Sequence, residues 1–165
     1  MVEATSTAQR TASIEHVGYT MRVFMARAVL FQDAVAKRAG LNSTDLQLSS
    51  LLMLFGPATP GELAERSGLT AGGAITAAID RLERAGIVVR SKDPHDRRRV
   101  IVTVELEAVL AKVGPVYGAV GQRWADYMST LTDAQIAFAD ELFTRAAEFN
   151  HDETTRLRGR ASSNG

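Results

Sequence analysis

The sequence predicts a mainly α-helical protein with one small β-hairpin, framed by long helices at both ends. Three observations carry that expectation. Residues 59–86 read as two short helices separated by a turn at Ser67-Gly68. Two β-branched runs, 87–91 and 99–104, then flank an arginine-dense loop. On either side, apolar residues at helical spacing extend over stretches longer than one three-helix core can cover. Together these describe a winged helix-turn-helix with long N- and C-terminal helices expected to serve dimerisation. The division expected is a flexible N-terminal arm at 1–13, dimerisation helices at 14–40 and 106–150, a winged helix-turn-helix at 41–105, and a polar C-terminal tail at 151–165.

Each element has its own local reasons. From Ile14, the positions Val17, Met21, Phe24, Met25, Ala28, Phe31 and Val35 follow helical spacing, and Gly40 suits a left-handed stop. Ser43 or Thr44 can cap the next helix. Leu46, Leu48, Leu51, Leu52, Met53, Leu54 and Phe55 make that helix apolar on nearly every side, so burial is expected. Gly56-Pro57 ends it. Thr59-Pro-Gly-Glu62 offers a hydroxyl cap, a proline at the first helical position and a carboxylate three residues on, the makings of a capping box. Thr70 is expected to cap the following helix, which closes at Gly86. Asp93-Pro94 places a turn inside the hairpin loop. Leu106, Val109, Leu110, Val113, Val116, Tyr117, Val120, Trp124 and Tyr127 outline another long helix, with a kink expected at Gly114-Pro115. Thr132 then caps a last helix bearing Ile136, Ala139, Leu142, Phe143, Ala146 and Phe149.

Composition narrows the function. Lys plus Arg equals Asp plus Glu at 19 each, which argues against a nonspecific polycation. Charge is nonetheless concentrated: from Arg81 to Arg99 there are seven Lys or Arg against three acids. A neutral chain with a cationic stripe suits a reader of duplex DNA. The absence of cysteine excludes disulfides, thiolate catalysis and zinc thiolates. No apolar run approaches membrane-spanning length, and the first 13 residues lack the apolar core of a signal peptide, so a cytoplasmic location is expected.

With Ile75, Ile79 and Leu82 buried, and about 100° per residue, the opposite face of the second short helix holds Thr70, Gly73, Ala77, Asp80, Arg81 and Arg84. Its first half is nearly bare: Thr70, Gly72, Gly73, Ala74, Thr76, Ala77. Small side chains permit close approach to base edges, and Ala or Thr methyls can meet thymine methyls. Arg81 and Arg84 suit backbone phosphates. Taken alone, they also fit a solvated charged face paired with Asp80 and Glu83. Lys92, His95, Arg97, Arg98 and Arg99 cluster at the hairpin tip, where they contribute nothing to a core; arginine fits a narrow minor groove. Asp93 and Asp96 are expected to orient an arginine and stiffen the loop.

Three segments resemble the MarR family: Pro60-Gly-Glu-Leu-Ala-Glu-Arg-Ser-Gly-Leu69, Ile79-Asp-Arg-Leu-Glu-Arg-Ala-Gly86, and Asp93-Pro-His-Asp-Arg-Arg-Arg-Val-Ile-Val102, the last like that family's wing signature. The resemblance implies a homodimer that places the 70–85 helices in major grooves and the wings in adjacent minor grooves of a palindromic site. It also implies a repressor released by a small aromatic or anionic effector. By position, Thr70, Thr76 and Arg81 match residue types the family uses at DNA, and Arg90 and Arg98 match its hairpin arginines. Two departures stand out: Ala77, where many members carry arginine, and Val104-Glu105, where Leu-Thr commonly closes the second strand. Candidate pocket residues are His16, Tyr19, Arg22, Tyr117 and Trp124; Tyr117 and Trp124 also fit a core stripe. No cofactor and no metal are expected. The competing readings are a winged helix used only for protein contacts and a small enzyme. The latter is disfavoured by the lack of a phosphate loop, a metal-spaced His cluster or a nucleophile–base pair.

Overall fold

The computed structural model describes residues 2–69 and 72–162. Among them are six helices and a two-stranded hairpin, in the order α1 (Val2–Arg38), α2 (Ser43–Phe55), α3 (Pro60–Ser67), α4 (Gly73–Arg84), β1 (Val88–Lys92), β2 (Val100–Val104), α5 (Leu106–Met128) and α6 (Asp133–Ser162). Two compact units meet between Tyr117 and Gly118, two residues after Pro115. Helix α5 runs unbroken through Gly114-Pro115, although the prolyl nitrogen has no hydrogen to give the Ala111 carbonyl.

Helix α1 starts at Val2, so residues 2–13 of the expected arm are helical instead, and Met1 lies outside the described residues. That stretch contains good helix formers and neither glycine nor proline after its start, and its hydroxyls bond backward within the helix, Thr11 to the Thr7 carbonyl and Ser13 to the Gln9 carbonyl, both at 3.0 Å. At the other end, Gly40 takes φ 70° and the Leu41 amide reaches the Ala36 carbonyl at 2.8 Å, closing the helix as its glycine suggested. Helix α2 is capped by Asn42, whose side chain accepts from the Asp45 amide at 2.8 Å. Ser43 and Thr44 are not the cap; the Ser43 hydroxyl donates to Asp33 Oδ1 at 2.8 Å.

Helix α2 also departs from the burial expected of it. Asp45, Leu46, Leu48, Ser49 and Leu52 turn inward, whereas Leu54 and Phe55 are 73% and 64% exposed. Nine residues beyond Asp45, at about 100° each, Leu54 points away from the core. The Arg66 guanidinium donates to the Gly56 carbonyl at 3.3 Å, tying α3 to the end of α2.

The remaining punctuation follows the sequence closely. Thr59 and Glu62 form the capping box of α3: the Glu62 amide donates to Thr59 Oγ1 at 3.2 Å, and the Thr59 amide donates to Glu62 Oε2 at 2.8 Å. Gly68 closes α3 in the left-handed region. Gly86 takes φ 70° after α4, and the Ile87 amide bonds back to the Leu82 carbonyl at 2.9 Å. Thr132 and Gln135 make the reciprocal cap of α6. That helix continues through Ser162, past the point where a polar tail was expected at 151; the segment has no proline, and Arg156 pairs with Glu153 one turn earlier.

The hairpin is antiparallel, with Arg90 opposite Val102 and Lys92 opposite Val100. Val102 also forms a bridge to Ala58 on its free edge, through amide–carbonyl bonds of 2.8 and 3.1 Å. Val104-Glu105 resolves simply: the Glu105 amide bonds the Ile87 carbonyl at 2.8 Å, and its own carbonyl accepts the Val109 amide to start α5. Leu48, Leu52, Leu63, Ile79, Leu82, Ile87, Val88 and Val102 form the centre of the core, with Val35 from α1 and Val109 from α5. Ile75, Ile79 and Leu82 are the buried face of α4, as the spacing predicted.

The Glu62 carboxyl is held below its ordinary pKa, first by the Thr59 amide hydrogen bond and next by the Thr59 side chain. A lowered folded-state value means stability that is present above the unfolded pKa, about 4.3, and lost as pH falls through the folded one. Unfolding followed from pH 6 to pH 3 should therefore show a loss that Glu62→Gln reduces; equal pH profiles for the two proteins would remove Glu62 from the acid response.

Candidate nucleic-acid interface

Helix α4 presents the surface on which the sequence placed DNA contacts. Gly72, Gly73, Ala74, Thr76 and Ala77 are exposed, and Arg84 lies further along at the helix end. Thr70, expected both to cap this helix and to contact DNA, lies outside the described residues. The N-cap is Gly72, with φ 112° and ψ −129° and no side-chain cap bond. Residues with a Cβ avoid that conformation, so Gly72 is required by the backbone as well as by any close approach. At Gly73 a Cβ would meet no atom within 4 Å, which leaves this part of the helix open to a partner.

The cationic residues divide into two groups. Three are engaged within the protein. Arg81 Nε and Nη2 donate to Asp45 Oδ2 and Oδ1 at 3.1 and 2.7 Å, linking α4 to α2. Arg90 on β1 pairs with both Asp80 and Glu83 of α4. Partial burial, the largest influence on Arg90, acts to lower its pKa, but the hydrogen bonds it donates to Asp80 and Glu83 outweigh it and hold the guanidinium above its ordinary value. Arg99 Nη2 meets Glu62 Oε1 at 3.1 Å, so the carboxylate that caps α3 also tethers the root of β2.

The second group faces water. Arg84, Lys92 and Arg97 are exposed and carry no ion pair among the described residues. The Arg98 side chain is 92% exposed and touches only Asp96, at 3.3 Å. The wing tip that bears them is shaped by its two acids. Asp93 Oδ1 accepts the His95 amide at 2.7 Å and the Asp96 amide at 3.3 Å, and Asp96 Oδ1 accepts the Arg98 amide at 3.0 Å. Those contacts, the His95 amide first, hold the Asp93 carboxyl below its usual range. His95 is exposed at the same tip.

Sequence reasoning named the cations but missed their partners. Asp45 had a visible signal, a lone acid at the start of an otherwise apolar helix, yet its mate lies 36 residues away. Asp80 and Glu83 were placed beside Arg81 and Arg84, whereas they hold Arg90 from the neighbouring strand.

Of the five candidate pocket residues, His16, Tyr19, Arg22 and Tyr117 lie in the first unit and Trp124 in the second. His16 and Tyr19 have ring centroids 6.3 Å apart on α1, both exposed, and Arg22 is exposed one turn on. Tyr117 donates its hydroxyl to Gln32 Oε1 at 2.8 Å and stacks edge-on against Phe31. Trp124 lies edge-on to Tyr127 at 5.9 Å and is 49% exposed. In the second unit, an open cavity of about 490 Å³ is lined by Met128, Asp133, Ile136, Ala137, Ala139, Asp140 and Phe143, none of them a predicted pocket residue. No cluster of potential metal ligands, and no helix long and apolar enough to cross a membrane, occurs among the described residues.

Comparison with known proteins places this geometry in context. The MarR family model matches residues 41–100, from the turn before α2 to the start of β2. An HTH-type transcriptional regulator of Bacillus subtilis, YcgE, is 37% identical over 132 residues, covering 80% of this chain and 84% of that protein. The crystal structure of a MarR family transcription regulator superposes with a TM-score of 0.67 at 13% identity, over 91% of this chain and 98% of that one. A point mutant of S. aureus MepR, bound to an oligodeoxyribonucleotide, gives a TM-score of 0.54 at 14% identity, over 80% of this chain and 96% of that one.

The Arg90 clasp is testable without any ligand. Arg90→Met keeps the stem and removes the charge, so it should cost about 1 kcal/mol in urea unfolding at low salt. In an Asp80→Asn, Glu83→Gln background the same change should cost little. Parent-like stability of Arg90→Met would mean the clasp contributes nothing.

Proposed function

The chain belongs to the MarR family of transcriptional regulators, and on that premise we propose that it works as a homodimer on a palindromic operator. Residues 41–105 form the reading lobe, and the segments 14–40 and 106–150 supply dimer contacts. In each subunit the face of α4 carrying Gly72, Gly73, Thr76 and Ala77 enters a major groove, with Arg84 on adjoining phosphates. The wing, bearing Lys92, His95, Arg97 and Arg98, reaches the neighbouring minor groove. Thr70 belongs to the same contact surface by its position in the sequence. The DNA-bound MepR relative supports a duplex as the partner.

One observation supports this reading above the others: four exposed cations, Arg84, Lys92, Arg97 and Arg98, flank an exposed helix face of small residues, while Arg81, Arg90 and Arg99 are anchored to acids. Exposed Lys and Arg side chains are the groups that neutralise phosphates and release the counterions condensed on a duplex. Arg90, expected at DNA, is better suited to holding the wing to α4. For the dimer, the support is the exposed apolar side chains on α1, among them Ile14, Val17, Val29 and Leu30, and on α6, among them Phe138 and Phe149.

The family resemblance further favours a cytoplasmic repressor that a small aromatic or anionic effector releases. Release requires the effector to bind the DNA-incompetent geometry more tightly than the competent one. His16, Tyr19, Arg22, Tyr117 and Trp124 are the candidate contacts.

Titration against the DNA upstream of the chain's own coding region should give saturable binding that weakens steeply as salt rises. Arg98→Ala should weaken it by about 1–3 kcal/mol; unchanged affinity would take the wing tip out of the contact. Sedimentation at micromolar concentration should return twice the chain mass, and a monomer would refute the dimer.

A further inference from the structure

Building on the duplex-binding reading, we propose that Asp45 is a positioning residue for DNA binding: it grips one edge of the Arg81 guanidinium so that the other edge faces a backbone phosphate. Asp45 itself touches no DNA in this arrangement.

The geometry is asymmetric in a telling way. The Asp45 side chain is 5% exposed, while that of Arg81 is 40% exposed. Asp45 is the only charged residue buried among the described residues. A guanidinium carries five N–H groups. The Nε hydrogen and one Nη2 hydrogen are spent on the two Asp45 oxygens. Both Nη1 hydrogens and the second Nη2 hydrogen have no hydrogen-bond partner among the described residues, and the side chain is part-exposed.

Position supports the same assignment. Arg81 follows Ala77 by four residues, about one turn, and so lies on the same side of α4 as the small-residue face. A free arginine loses much side-chain entropy when it is fixed. The bidentate contact removes much of that freedom before DNA arrives, so the phosphate meets a fork already oriented. Asp45 can do this because it is fixed in turn. Its amide is held by the Asn42 cap at 2.8 Å, and its carbonyl accepts the Ser49 hydroxyl at 2.8 Å.

Charge and positioning predict opposite signs. Removing a carboxylate near a polyanion should tighten binding if only Coulomb forces act. Losing the grip on Arg81 should weaken it.

The experiment uses the full-length chain and a duplex selected by the wild-type protein from a randomised pool. Wild type, Asp45→Asn, Arg81→Lys and the double variant are titrated at several salt concentrations, at a temperature where melts show each to be folded. Asp45→Asn should bind roughly tenfold more weakly with an unchanged salt slope, since no phosphate-bound cation has been removed. Arg81→Lys keeps the charge but not the fork, and should also lose roughly tenfold. The double variant should be little worse than either single one. Wild-type or tighter binding by Asp45→Asn overturns the proposal. Should that variant not fold, wild-type affinity in Arg81→Lys, whose head group lies at the surface, overturns it equally. A pool from which wild type selects nothing marks a failure of the DNA-reading assignment itself, visible before any variant is compared.

Discussion

A carboxylate shut away from water must find a cation, and in this protein that demand falls on Asp45. Leaving it unpaired in the interior would cost several kcal/mol, far more than a surface ion pair returns. Its two hydrogen bonds to Arg81 therefore set the distance and rotation of α4 relative to α2. Packing alone would tolerate a range of rotations, because Ile75, Ile79 and Leu82 are apolar and non-directional. A bidentate ion pair is directional, and so it specifies one arrangement among those that the core permits.

The same logic orders the rest of the reading lobe. Arg90 fastens β1 to α4 through Asp80 and Glu83, and Arg99 fastens the start of β2 to α3 through Glu62. Each tether joins two different elements, α4 to β1 across 7 to 10 residues and α3 to β2 across 37. Three consecutive arginines at 97–99 thus have unlike roles: Arg99 is tied, Arg98 touches only its own loop, and Arg97 is unpaired among the described residues. Identical chemistry is separated by strand direction, since Arg99 lies at the root of β2 while the other two sit within the turn.

Much of this architecture could be read from local sequence. The Thr59–Glu62 capping box, the left-handed glycines at 40, 68 and 86, the Thr132 cap and the inward face of α4 all depend on residues within one or two turns of each other. The failures have a common physical origin in longer range. The exposure of Leu54 and Phe55 depends on where the core ends, which hydrophobicity along α2 does not record. The Asn42 cap displaced Ser43 because Asp33 of α1 offered that hydroxyl a different partner. Helix through 2–13 follows from ordinary helix formers, which low apolar content had disguised as an arm. At the interface, small size and positive charge were legible; which arginine answers to which acid was not, because the pairs close over 7 to 37 residues.

The Ala58–Val102 bridge has a mechanical consequence. Val102 is flanked by backbone on both edges, by Ala58 and by Arg90, so the base of the hairpin is clamped from two sides. Beyond Lys92 and Val100 the backbone has bonds only within its own turn, and the Arg99 side chain reaches out of it, to Glu62. A beam held at its root deflects most at its free end. Deflection is therefore expected to be greatest at the outermost guanidinium groups, which in the proposed complex would let the wing follow grooves of differing width.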